Sequence, residues 1–168
     1  VKYFISHAGF ILNNPHDPDY IGVVAAIKNI AQQCKRDGTC FLFETGQETP
    51  VTLLRTIEDV QSENIGINLD PANLLMYGMG NPIDAIDVFG KYIRQVHAKD
   101  GLYPVNGRQL GQEMPLGKGK VNFPVFIEKL KSIGFDGYLI IEREISGEQQ
   151  KKDIIAEKEL LENLIRSE

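Results

Sequence analysis

The chain has 168 residues, 42% apolar and 24% charged, enough for one globular domain with a real hydrophobic core. A formal net charge of −5 argues against a general nucleic-acid binder, which presents a basic surface to phosphates. No apolar run approaches the roughly 18 residues of a membrane span, and the opening Val-Lys-Tyr-Phe-Ile-Ser-His7 lacks the regions of a signal peptide.

Residues 1–6 read as a first strand. Asp17 can N-cap a helix with Pro18 at its first position, and Ile21, Val24, Ile27, Ile30 and Cys34 recur at helical spacing until Gly38. Residues 40–43 form a second strand. The cysteines, Cys34 and Cys40, match neither a Cys-x-x-Cys redox pair nor a zinc knuckle. Read as reduced thiols, they fit a cytoplasmic protein.

Thr49-Pro50 opens a second helix carrying Leu53, Leu54, Ile57 and Val60, and residues 65–69 form a third strand. Asn81-Pro82 opens the next helix, with Ile83, Ile86 and Phe89 on one side, before a short fourth strand at 92–96. After a long loop, Asn122 and Pro124 start a helix with Phe126, Ile127 and Leu130 that stops near Gly134. Residues 138–141 are a fifth strand, and 149–166 a charged amphipathic helix.

Strand and helix thus alternate five times, which predicts an α/β fold: a parallel sheet flanked by helices, in one domain over 1–168. Four consecutive strands end in a residue able to ligate a metal: Glu44, Asp70, His97 and Glu142, spaced 26, 27 and 45 residues apart. In a parallel sheet these ends share one face. Singly, each has a plain explanation: a surface glutamate, an aspartate capping a turn before Pro71, a core histidine. Together, three carboxylates and an imidazole need a compensating charge, and a divalent cation supplies it. Oxygen and imidazole donors without a thiolate suit Mn²⁺ first, then Mg²⁺ or Co²⁺, with Zn²⁺ also compatible.

Leu-Phe-Glu44, Leu-Asp70-Pro-Ala-Asn-Leu, Val-His97-Ala-Lys-Asp-Gly, Pro-Leu-Gly-Lys-Gly-Lys-Val-Asn-Phe and Gly-Phe-Asp-Gly-Tyr-Leu-Ile-Ile-Glu142 resemble the sugar-phosphate isomerase/epimerase group. That group is the xylose-isomerase-like TIM-barrel superfamily, which holds ketose 3-epimerases, inosose dehydratases and zinc AP endonucleases. The resemblance runs through essentially the whole chain. It implies that Glu44, Asp70, His97 and Glu142 are metal ligands, and that Glu44 and Glu142 are also the catalytic acid/base pair. The implied activity is isomerisation or epimerisation of a sugar or sugar phosphate by proton transfer through a metal-bound enediolate. An inosose-type dehydratase is the nearest enzymatic alternative.

His7, Asn73, Lys99, Asp100 and Arg108 are candidates for substrate contact: His7 ends the first strand, Lys99 and Asp100 follow the ligand histidine, and Arg108 could clamp a hydroxyl or phosphate. Asn73 stands where the AP endonucleases carry a zinc-binding histidine and some epimerases a substrate-binding one. Gly111-Gln-Glu113 replaces the endonucleases' Asp-x-His, so a trinuclear site and a nuclease activity are not expected. Gly117-Lys-Gly119-Lys reads as a turn, since no Ser or Thr follows Lys120.

An eight-unit barrel takes about 250 residues. Five units imply a partial (β/α)8 barrel, its C-terminal part, completed by a missing N-terminal segment or a partner such as a second copy. An incomplete barrel that binds metal or sugar without turnover is the non-enzymatic alternative.

Overall fold

A computed structural model describes residues 1–167. Five parallel strands, β1 (Tyr3–Ser6), β2 (Cys40–Glu44), β3 (Ile65–Leu69), β4 (Ile93–Ala98) and β7 (Tyr138–Ile141), lie in the order β1-β2-β3-β4-β7. They form a half-barrel. Helices α1 (Pro18–Arg36), α2 (Pro50–Val60), α4 (Pro82–Phe89), α5 (Phe123–Ser132) and α6 (Glu148–Arg166) alternate with them. A short helix, α3 (Pro71–Met76), follows β3, and an antiparallel ribbon pairs β5 (Asp100–Gly101) with β6 (Glu113–Met114).

Proline after a capping side chain starts four of these helices, α3 behind Asp70 among them. Asp17, Thr49 and Asn81 each accept a backbone N–H from the first turn, with proline just inside. One expected face is different. Ile21 and Ile30 of α1 are exposed, and Tyr20, Ile27, Ala31 and Cys34 are buried instead. At 3.6 residues per turn the two isoleucines fall on the flanks of that stripe, and the Tyr20 hydroxyl fixes the phase by donating to Asp59 Oδ2 at 2.6 Å.

Alternation along the strands separates two layers. Phe41, Phe43, Ile65, Ile67, Leu69 and Val96 join the core with Leu53, Ile57, Ile86, Phe89 and Phe126 of the helices. The opposite face carries Leu42 and Glu44 of β2, Asn68 of β3, Gln95 and His97 of β4 and Ile140 of β7, matched by register. Gln95 donates to Asn68 Oδ1 at 3.3 Å on that face. β4 runs two residues beyond the expected 92–96, because Gly90–Tyr92 form a 3₁₀ turn and pairing continues to Ala98. His97 therefore lies inside the strand, on the same side as Gln95.

Candidate metal centre

Each ligand candidate is delivered by a strand end. Glu44 closes β2, and its side chain is 15% exposed. Asp70 follows β3 and caps α3, its Oδ1 accepting the Asn73 N–H at 2.9 Å. The Thr45 hydroxyl pins it further, accepting the Asp70 N–H at 2.8 Å and donating to the Asp70 carbonyl at 2.9 Å. Glu142 follows β7 and extends the ladder by donating its N–H to the Ala98 carbonyl at 3.2 Å.

The four side chains meet. One donor atom from each of Glu44, Asp70, His97 and Glu142 lies within 4.8 Å of the others. His97 Nδ1 is 2.8 Å from Glu142 Oε2, 3.3 Å from Glu44 Oε1 and 3.9 Å from Asp70 Oδ2. Even so, Asp70 Oδ2, His97 Nδ1 and Glu142 Oε2 are buried and make no aligned hydrogen bond. Buried polar atoms without an aligned partner are costly. Three that converge fit a divalent cation bound by hard oxygen donors and one imidazole.

The charges agree with this. Burial opposes a charge on His97, but Glu142 and Glu44 outweigh it and lift its pKa to about 9. Contact with His97 draws the Glu142 carboxyl down to about 2 against its burial, with help from Lys99. Burial pushes Asp70 up, opposed by Lys99 and the Asn73 N–H. Lys99 Nζ, 2% exposed, sits 2.8 Å from Glu144 Oε2 and 3.7 Å from both Asp70 Oδ2 and Glu142 Oε2.

The substrate candidates divide. His7 lies beside the cluster: Nδ1–H donates to the Glu44 carbonyl at 3.1 Å, and Nε2 is 3.6 Å from Glu44 Oε1. Asn73 is buried at the start of α3, next to the Gly46 turn after β2. Lys99 lies against the candidate ligands Asp70 and Glu142. Asp100 does not: it accepts the N–H groups of Gly101, Gly117, Gly119 and Val121 at 2.8–3.1 Å and builds the loop after β6. That carboxylate fills the cradle which the Gly117-Lys-Gly119-Lys turn would otherwise offer an anion. Arg108 is exposed in the 102–112 excursion, and no ion pair ties it to the cluster among the described residues.

The chain matches the family model described as xylose isomerase-like TIM barrel over residues 1–164. It belongs to that family. A xylose isomerase domain protein from Planctomyces limnophilus is 39% identical with a TM-score of 0.88, over 96% of this chain and 57% of that one. A D-tagatose 3-epimerase-like protein is 25% identical with a TM-score of 0.74, over 98% and 62%. An uncharacterized protein of Methanocaldococcus jannaschii is 32% identical over 120 residues, 70% of this chain and 37% of that protein. The chain therefore spans about 37–62% of the length of these relatives. No helix among the described residues is long and apolar enough to cross a membrane.

Sequence reasoning missed Thr45, Glu144 and Arg143. Thr45 and Arg143 each follow a ligand candidate directly, so their position beside Glu44 and Glu142 was the available signal.

Proposed function

We propose that this chain carries the metal site and the proton-transfer pair of a sugar, or sugar phosphate, isomerase or epimerase. The convergence of three unpartnered buried atoms, Asp70 Oδ2, His97 Nδ1 and Glu142 Oε2, carries the reading. Likeness to the D-tagatose 3-epimerase-like protein supports the sugar class.

A divalent ion held by Glu44, Asp70, His97 and Glu142, Mn²⁺ first among Mg²⁺, Co²⁺ and Zn²⁺, would supply Lewis-acid stabilisation of charge developing at a carbonyl oxygen. Glu44 and Glu142 flank His97 and are the acid/base pair: one takes the proton beside the carbonyl and the other returns one. Contact with His97 lowers the Glu142 carboxyl and keeps it ionised at neutral pH in the metal-free chain. Lys99 places a fixed positive charge beside the reacting oxygens, while His7 and Asn73 hold substrate hydroxyls at the rim. Asp100 serves the site by fixing the loop, and Arg108 reaches substrate if the excursion folds over the mouth. The remaining barrel wall comes from further chain or from a partner, and with it much of the substrate selectivity.

The test joins metal titration to isotope exchange. The parent is expected to bind one Mn²⁺, and His97→Ala to lose it. Solvent deuterium is then expected to enter a ketose or ketose phosphate in the parent and not in Glu44→Gln. Absence of metal binding overturns the reading. Metal binding without exchange points to an inert binding fragment, and water loss in place of epimerisation to a dehydratase.

A further inference from the structure

Glu142 stands one residue past β7, which among the described residues pairs only with β4. A ligand there has sheet support on one side, so its placement needs a second anchor. The next residue, Arg143, has a side chain only 9% exposed. Its Nη1 donates to Glu113 Oε1 at 2.7 Å and its Nε to Asp153 Oδ2 at 2.9 Å. Glu113 belongs to β6, at the base of the 102–112 excursion, and Asp153 to α6.

The backbone is held by the same two elements. Glu113 accepts the Glu144 N–H at 3.0 and 3.2 Å, and Gln150 Nε2 donates to the Arg143 carbonyl at 2.8 Å. Gln149 Nε2 donates to Asp153 Oδ1 at 2.7 Å. With the Glu142 N–H on the Ala98 carbonyl, residues 142–144 are tied to three separate elements. A guanidinium can do this because its Nε and Nη1 point in fixed, different directions, whereas an ammonium is a single point charge. None of Arg143, Glu113 and Asp153 offers an atom to the four-ligand cluster.

We propose that Arg143, clamped between Glu113 and Asp153, is a positioning residue that sets the ligating geometry of Glu142 and couples it to the 102–112 excursion. This rests on the metal reading of the site. A clamp serving only to dock α6 would affect stability alone, while a positioning clamp affects metal affinity in protein that is still folded.

The experiment titrates Mn²⁺ by electron paramagnetic resonance into the parent, Arg143→Lys, Glu113→Gln, Arg143→Gln and the Glu113→Gln/Arg143→Gln double variant, with melting curves for each. Arg143→Gln is expected to weaken Mn²⁺ binding by about 10–100-fold, the usual effect of losing a group that supports a ligand. Arg143→Lys and Glu113→Gln fall between it and the parent. The double variant is no weaker than Arg143→Gln alone, because both changes break one linkage. Unchanged affinity with lowered melting temperatures overturns the proposal and leaves the metal site standing, whereas a parent that binds no Mn²⁺ overturns both. Should Arg143→Gln fail to fold, Glu113→Gln, which keeps the Arg143–Asp153 pair, decides the question by its affinity.

Discussion

Asp70 and Asp100 are both buried aspartates just past the ends of adjacent strands, and their carboxylates are used in opposite ways. Asp100 accepts four backbone N–H groups across its two oxygens. Asp70 accepts one N–H on Oδ1 and leaves Oδ2 with none. Burial and residue type do not tell a structural carboxylate from a ligand. The unused acceptor does, provided that other unused acceptors face it. Lys99 and Asp100 make the same division within two residues, one side chain reaching the ligand cluster and the other the loop.

The largest effect is expected at Asp100. Asp100→Ala leaves four N–H groups without their acceptor and should cost about 3–5 kcal/mol in urea denaturation. A loss below about 1 kcal/mol would mean that the loop satisfies itself with water. Asp70→Asn should do the reverse. An amide oxygen can still cap α3, and removing a buried charge offsets what is lost, so metal-free stability should change by less than about 1 kcal/mol. Mn²⁺ affinity should fall about 100-fold, at the upper end of what changes around a metal site produce. If Asp70→Asn unfolds the chain and keeps its metal, the contrast between the two aspartates is broken.

Much of this arrangement was legible in the sequence. Capping side chains before Pro18, Pro50 and Pro82 located three helices, and β3 and β7 fall at their expected residues. The four candidate ligands could be read because each sits where an apolar run stops, and parallel strands bring such stops to one face. Helix α3 and the β5–β6 ribbon were not legible, since six and two residues carry no usable periodicity. Asp100 was hard to read because its partners are backbone N–H groups, which every sequence has, three of the four lying 17 to 21 residues further on. The Arg143 clamp joins residues 30 before it and 10 after it, a pairing that no local pattern announces.

The converging buried atoms should also show as a proton–metal competition. His97 has its pKa raised to about 9, so at pH 7 the metal must displace a proton from it. Apparent Mn²⁺ affinity should therefore rise about tenfold per pH unit from 7 towards 9 and level off above. Calorimetry at pH 7 in buffers of different ionisation enthalpy should report about one proton released per ion. A flat profile would mean that His97 is already neutral in the metal-free chain and that Glu44 and Glu142 do not charge it.

Glu48 offers the intermediate case. It is 4% exposed and its Oε1 has no partner, but it lies outside the cluster formed by Glu44, Asp70, His97 and Glu142. Burial pushes its pKa from the ordinary 4.5 to about 7, against the N–H groups of residues 46–48. The native chain thus holds this proton more tightly than the unfolded one. That contribution is fully present below about pH 4.5 and is lost as the pH rises through about 7. Between pH 5 and pH 8 the parent should lose about 2–3 kcal/mol through Glu48, and Glu48→Gln should lose that much less over the same interval. Urea midpoints at the two pH values measure the difference. Equal slopes in parent and variant would show that water reaches the carboxylate, and that burial without convergent partners leaves no mark on this chain's titration.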